Sequence, residues 1–151
     1  MTPALPNPCD PRLRPLSPRE ALVLEFTDKV LHGDDLGMID RVVSPAYIQH
    51  TPGIGQGREG LRRYILAVAR KWPGRREWRP VRLFEAGDFV ILHKHLRHVV
   101  IADFFRFDGA GMLAEHWDVV QPLPEPGYDP MRPSSEDFGR FAALFRIGEA
   151  D

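Results

Sequence analysis

Ala102-Asp103-Phe104-Phe105-Arg106-Phe107-Asp108-Gly109-Ala110-Gly111-Met112-Leu113-Ala114-Glu115-His116-Trp117-Asp118 is the stretch on which the fold turns. An apolar-rich run ends at Phe107, a cluster of Asp, Gly and Ala follows, and a second run starts at Leu113. That is the pattern of two antiparallel strands joined by a turn. Further back, Phe89–Leu96 and Trp78–Phe84 carry the same period of two, with turns at Gly87-Asp88 and near Arg97-His98. Trp78–Phe84, Phe89–Leu96, Val99–Phe107 and Leu113–Val120 are therefore expected to form a four-stranded meander.

Upstream, the period lengthens to that of a helix. Ser17-Pro18-Arg19-Glu20 places a capping hydroxyl, a proline at the first helical position and a glutamate three residues beyond the cap. Leu22, Val23, Phe26, Val30 and Leu31 recur at helical spacing, and Gly33 supplies a stop. A shorter helix carries Leu36, Ile39 and Val43 and ends at Ser44-Pro45. Ala46–His50 reads as a strand before the turn-rich Thr51–Gly57. A third helix spans roughly Glu59–Trp72, with Leu61, Tyr64, Ile65 and Val68 on one face, and Pro73-Gly74 breaks it. Three helices, one of them between the first strand and the rest, followed by a meander, make an α+β pattern.

The chain has 151 residues, 20 basic and 21 acidic, with a formal charge of -1. One domain is the expectation at this length. The balanced charge offers no field for nucleic acid or an anionic membrane, and no run of about 18 apolar residues is present to span one. No secretory signal is read, and the single cysteine, Cys9, fits a reducing compartment, so a cytoplasmic location is expected. Of 15 prolines, six lie in residues 1–18 and five in 122–133. Proline fixes φ and lacks the N–H, so neither stretch suits a helix or central strand. Residues 1–16 thus read as a mobile or surface-draped arm, 17–121 as the core, and 122–151 as an irregular extension. The extension ends in a helix at about 135–146, with Phe138, Phe141 and Phe145 on one side. It is expected to cross a cavity mouth or embrace a partner subunit.

If Phe107 opposes Met112, then Phe105 faces Ala114, Asp103 faces His116 and Ile101 faces Asp118, with Glu115 and Trp117 directed the other way. In the preceding hairpin, a three-residue connection sets His93 opposite Asp103 and His95 opposite Ile101. A two-residue connection would set Leu92 and Lys94 on that face instead. The first is preferred, because burying Lys94 beside Asp103 would cost its hydration. His93, His95, Asp103, His116 and Asp118 then share one face with Ile91, Ile101, Phe105 and Phe107. Such a face is either a pocket lined by titratable groups or a polar cluster that ties strands together.

Ala102–Gly111 with Leu113–Asp118 resembles the last hairpin of the nuclear transport factor 2-like superfamily. It is most similar to the SnoaL-like branch, which includes polyketide cyclases and predicted aldol-condensation enzymes. Tyr47-Ile48-Gln49-His50-Thr51-Pro52, the helix start Gly57-Arg58-Glu59-Gly60, and His93-Lys94-His95 add to the likeness, which covers roughly residues 17–125. It implies an α+β barrel domain: a cone-shaped, curved antiparallel sheet around the three helices, with an apolar cavity at one end. It also implies a homodimer formed through the outer sheet face at Phe104 and Trp117. Ketosteroid isomerase resembles the chain more distantly; its protonated aspartate corresponds to Asp103, its general-base aspartate to His50 and its tyrosine to Phe26.

For chemistry, the resemblance implies a cofactor-free enzyme that performs aldol cyclisation, isomerisation or dehydration on a small apolar carbonyl-containing or polyketide-like molecule. Such reactions need a base near neutral pH and a donor for the enolate oxygen. The expected base is His50, with Asp103 and His116 sharing a proton as acid and stabiliser. Phe26, Tyr47, His93, His95, Phe105, Asp118 and Val120 are expected around the substrate. The alternative is a non-catalytic small-molecule-binding or dimerisation module of the same fold. His93-x-His95 could also hold a transition metal, since imidazoles two apart on a strand share a face, but the closely spaced Cys/His pairs of a structural site are missing and no metal is expected. His32 and His98 read as solvent-facing, and the basic residues around the third helix read as a solvated face.

Overall fold

The computed structural model describes residues 7–71, 76–96 and 99–123. Helix α1 (Pro18–Phe26) starts as its sequence specifies. Glu20 N–H donates to Ser17 Oγ at 3.1 Å and Ser17 N–H to Glu20 Oε2 at 2.9 Å, a complete capping box. A π-helical turn, Thr27–Leu31, continues it, and Gly33 follows where an added Cβ would lie 2.2 Å from Lys29 O. After the short α2 (Gly37–Val42), strand β1 (Val43–Gln49) begins earlier than expected and takes in Pro45, which a sheet edge tolerates. Then come α3 (Gly57–Lys71), β2 (Trp78–Ala86), β3 (Phe89–Leu96), β4 (Val99–Phe107) and β5 (Leu113–Pro122). The four meander strands match their expected limits to within two residues.

The strands form one sheet in the order β1-β5-β4-β3-β2. The meander is antiparallel, but β1 pairs β5 in parallel, with Gln49 beside His116. The sheet is therefore mixed and open rather than wholly antiparallel and closed. No hairpin links β1 to β5, since α3 and three strands lie between them in sequence, so nothing imposes the antiparallel sense. Val23, Phe26, Val30, Ile39, Leu61 and Ile65 of the helical layer pack against Leu83, Val90, Leu92, Phe105, Phe107 and Leu113 of the inner sheet face.

Two turns decide which side chains reach that inner face. Phe107 pairs with Leu113 rather than Met112, and Arg106 pairs with Glu115, which leaves Ala114 as a bulge. The two one-residue departures sum to two, so the side chains of β5 from Glu115 onward keep their expected faces, while Leu113, before the bulge, turns inward. Asp103 consequently faces Asp118, and Phe105 faces His116. Between β3 and β4 the departure is one residue. Leu96 pairs with Val99, Leu92 with Asp103 and Lys94 with Ile101, so two residues connect the strands and not three. This turns β3 over: Leu92 and Lys94 are buried within, whereas Ile91, His93 and His95 alternate to the outer side.

The N-terminal arm, where described, is draped along β2. Leu83 N–H donates to Cys9 O at 2.8 Å, and Asn7 Nδ2 donates to Val81 O at 2.9 Å. Arg14 holds both oxygens of buried Glu20, at 2.9 and 2.6 Å, and reaches Leu83 O at 2.6 Å. The Arg14 hydrogen bonds keep the Glu20 carboxyl below its ordinary range against the effect of burial. The expected helix at 135–146, with its phenylalanines, lies outside the described residues. Among those that are described, no helix is long and apolar enough to cross a membrane.

The loop before α3 meets the helix glycine to glycine. A Cβ on Gly60 would sit 2.0 Å from Gly55 O, whereas one on Gly109, in the β4–β5 turn, would meet nothing within 4 Å. Gly60→Ala is expected to destabilise the protein by about 1–3 kcal/mol. Gly109→Ala should change stability by less than about 0.5 kcal/mol. Urea unfolding of both variants checks the pair.

Candidate active site

Lys94 of β3, Asp103 of β4, and His116 and Asp118 of β5 converge on a cavity between the sheet and the helices. The remainder of its lining is Gln49 and the mainly apolar Leu31, His32, Ile54, Leu61, Tyr64, Val68, Leu96 and Ile101. Leu61, Tyr64 and Val68 come from one face of α3, at the spacing that brings helical residues into line. The cavity itself holds about 70 Å³, within about 520 Å³ of free space when the open mouth is counted.

Asp103 organises the polar end. It is 2% exposed, with Lys94 at 3% and His116 at 4%. Lys94 Nζ lies 2.8 Å from Asp103 Oδ2, close enough to balance its charge, though its angle leaves Oδ2 without an aligned hydrogen-bond donor. On the other oxygen, His116 Nε2 stands 3.1 Å from Asp103 Oδ1, and His116 Nδ1 stands 3.0 Å from Gln49 Oε1. Gln49 is itself fixed: Oε1 accepts Thr51 N–H at 3.1 Å, and Nε2 donates to Tyr47 Oη at 3.2 Å. The His116 ring thus spans a carboxylate on one side and an amide oxygen on the other.

Burial by itself would raise the Asp103 carboxyl, but the Lys94 charge and the His116 hydrogen bond and charge outweigh it and hold it at about 2. Asp103 is thus an ionised acceptor, not the protonated donor that the isomerase likeness implied. Asp118, directly across from it, goes the opposite way. Burial raises its carboxyl, Asp103's charge adds to the rise, and the pull of His116 and Lys94 only partly offsets it. Tyr47 is also pushed up, by burial and then by the charges of Asp103 and Asp118, so its hydroxyl stays neutral.

The structure brings together Asp103, His116 and Asp118 of the residues expected from sequence, and adds Lys94 and Gln49. It does not bring His50 to them. Gln49 points inward, so the next residue points out. His50 Nε2 meets Glu115 Oε1 at 2.6 Å, and its ring stacks on Trp117 at 4.3 Å. Arg106 holds the other Glu115 oxygen at 2.6 Å. His93 and His95 are likewise outside, in register with Arg82 and Arg79, and Arg82 donates to His93 Nδ1 at 3.1 Å. Phe26, Tyr47 and Phe105 are almost fully buried behind the lining, with Phe105 packed on the His116 ring at 4.8 Å. Val120 shares the inner face and sits opposite Ile101. His32, expected in solvent, is buried against Trp78 at 5.5 Å and lines the cavity.

One ligand atom from each of Asp103, His116 and Asp118 lies within 4.8 Å of the other two, a spacing that could admit a cation. The Lys94 ammonium already supplies a positive charge to that carboxylate.

No protein-family model matches the chain, and no curated protein matches it significantly. Solved structures do match. A SnoaL-like protein of unknown function from Burkholderia thailandensis is 13% identical, over 73% of this chain and 100% of that one, with a TM-score of 0.57. TsrD from Streptomyces laurentii is 18% identical, over 71% and 92%, with a TM-score of 0.55. A steroid delta-isomerase from Pseudomonas aeruginosa is 20% identical, over 85% and 95%, with a TM-score of 0.51. At these identities the likenesses establish the fold: the chain has the nuclear transport factor 2-like, cystatin-like architecture of SnoaL-like proteins.

Removing one partner of the buried pair strands the other. Lys94→Met is expected to cost about 3–5 kcal/mol, read by denaturant unfolding at pH 7. Asp103 has a folded pKa below its ordinary 3.8. The stability it contributes is therefore complete above about pH 4 and lost as pH falls from there toward about 2. Unfolding free energies measured from pH 7 to 2 should show that loss in the wild type and a flatter acid limb in Asp103→Asn.

Proposed function

We propose that this chain is a cofactor-free enzyme that moves a proton on a small, largely apolar carbonyl compound, by aldol, isomerisation or dehydration chemistry. One observation carries the reading: Lys94, Asp103, His116 and Asp118 converge on a cavity whose other walls are mainly apolar. Ionisable groups gathered in a cleft with perturbed proton affinities mark a candidate functional site.

Asp118 is the proton carrier in this reading. Its raised carboxyl brings it nearer the pH at which a base can both hold and release a proton, and it faces the cavity. Lys94 is the donor for the substrate oxygen, because an ammonium has N–H groups beyond the one directed at Asp103. His116 and Gln49 are positioning residues that fix Asp103, which in turn fixes Lys94. Phe105 and Tyr47 support that array from behind. His50 has no part in it, being engaged with Glu115 on the other side of the sheet.

A second copy of the chain is the proposed partner. Phe104 pairs with Trp117 on the outer face, Phe89 lies 5.9 Å from Trp117, and Val119 beside them is 62% exposed. An apolar face of this kind is what a homodimer interface would cover. Cys9, the single thiol, fits a reducing, cytoplasmic setting.

Solvent-deuterium exchange at the α-carbon of small ketones, followed by mass spectrometry, tests the assignment. Asp118→Asn is expected to lower the rate about 100-fold, and His50→Ala to leave it within about twofold of wild type. The base works ionised, so the rate should rise with pH through the Asp118 pKa, with an acid limb above the ordinary 3.8. Full exchange in Asp118→Asn would overturn Asp118 as the proton carrier, and no exchange by the wild type would return the cavity to the non-catalytic, ligand-binding reading. For the interface, Val119→Lys should shift the sedimentation coefficient from dimer to monomer.

A further inference from the structure

The chain carries 17 arginines and only three lysines, Lys29, Lys71 and Lys94. Lys29 is paired with Glu25 on the surface, and Lys71 is exposed at the end of α3. Lys94 alone is buried, and it lines the cavity. A guanidinium would serve an ion pair with Asp103 at least as well, through its planar fork. What lysine offers and arginine does not is a primary amine able to bond covalently to a carbonyl carbon.

We propose that Lys94 captures the carbonyl ligand as an imine, a step that rests on the carbonyl-compound reading of the cavity. The ammonium first releases a proton to Asp118. The free amine adds to the carbonyl carbon, forming the C–N bond as the C=O π pair moves onto oxygen. That oxygen takes the Asp118 proton to give a carbinolamine. Loss of the hydroxyl, with a proton from nitrogen, leaves a protonated imine and one water. An ammonium and a carbonyl thus become an iminium and a water with no net gain or loss of protons and no oxidant or reductant.

Three features of the site suit this step. The charge at nitrogen is +1 before and after, so the Asp103 carboxylate at 2.8 Å stabilises the product as it does the starting amine. Asp103 is held ionised by His116 and does not compete for the proton. The lining next to Lys94 includes Leu96 and Ile101, which shield an imine from hydrolysis. The iminium in turn withdraws electrons from the α-carbon far more strongly than a hydrogen-bonded carbonyl does, which eases the proton transfer assigned to Asp118.

The test is reductive trapping. The full-length protein is incubated with cyclohexanone or benzaldehyde at pH 7, reduced with cyanoborohydride, digested and mapped by mass spectrometry. A secondary amine on Lys94, formed at least tenfold faster than on Lys29 or Lys71, is the expected result, with no adduct at that position in Lys94→Arg. Lys94→Arg keeps a cation for Asp103 and so guards against misfolding, which circular dichroism checks. Adduct confined to Lys29 and Lys71, or none at all, overturns the inference. The α-exchange assay separates the two readings. If Lys94→Arg still exchanges as the wild type does, the imine is wrong and proton-transfer catalysis stands; if the wild type does not exchange either, the catalytic reading falls with it.

Discussion

The Asp103 carboxylate is the constraint on which the rest of the site depends. A carboxylate this deeply buried is untenable alone, because the loss of hydration outweighs anything apolar packing returns. It is tolerated here because each of its oxygens has a basic side chain beside it. Lys94 approaches one oxygen and the His116 ring the other. The polar series then continues through Gln49 to Tyr47. Its members come from β3, β4, β5 and β1, the order in which those strands lie in the sheet. One buried polar network therefore crosses four neighbouring strands and rewards a single register at each junction. A slip of one residue at any of them would leave a charge facing the wrong side.

That dependence explains what the sequence could and could not reveal. Element type was legible wherever periodicity was long: the capping box at Ser17, the α3 stripe and the four meander strands all stand where their patterns put them. The face of β5 was legible too, although its register was not. A longer turn and the Ala114 bulge each displaced the pairing by one, and displacements of two leave facing unchanged. Over β3 the single displacement inverted every assignment. The preference for burying His93 and His95 weighed the hydration that Lys94 would lose and left out the countercharge that Asp103 would give it. A buried ion pair has to be judged as a pair. Taken one side chain at a time, each member looks impossible.

Other misplacements have local causes. His50 follows Gln49, so the alternation that turns Gln49 inward toward His116 must turn His50 outward to Glu115 and Trp117. Gln49 itself went unnoticed because its partner depends on the parallel β1–β5 pairing, which no local pattern announces. His32 looked like a solvent-exposed helix end ahead of Gly33. The π-helical turn at Thr27–Leu31 carries an extra residue for its length, which rotates the chain immediately after it and lays the His32 ring on Trp78. In each case the missing information was non-local geometry, not chemistry.

The facing carboxylates of Asp103 and Asp118 show how one arrangement yields two kinds of acid. Like charges directly opposite each other on neighbouring strands repel, and in an apolar cavity the repulsion is weakly screened. Both residues are desolvated. Asp103 has Lys94 and His116 at its oxygens and takes the low value, whereas at Asp118 burial, with Asp103's charge added, outweighs the pull of His116 and Lys94, and its carboxyl moves up. Two neighbouring aspartates with divergent proton affinities are what separates a group that anchors charge from a group that can exchange a proton. The two basic groups differ as well. His116 has both nitrogens engaged, with Asp103 and with Gln49, whereas Lys94 pairs with Asp103 and also lines the cavity. In the proposed reading, that difference assigns His116 to holding Asp103 and Lys94 to meeting the substrate.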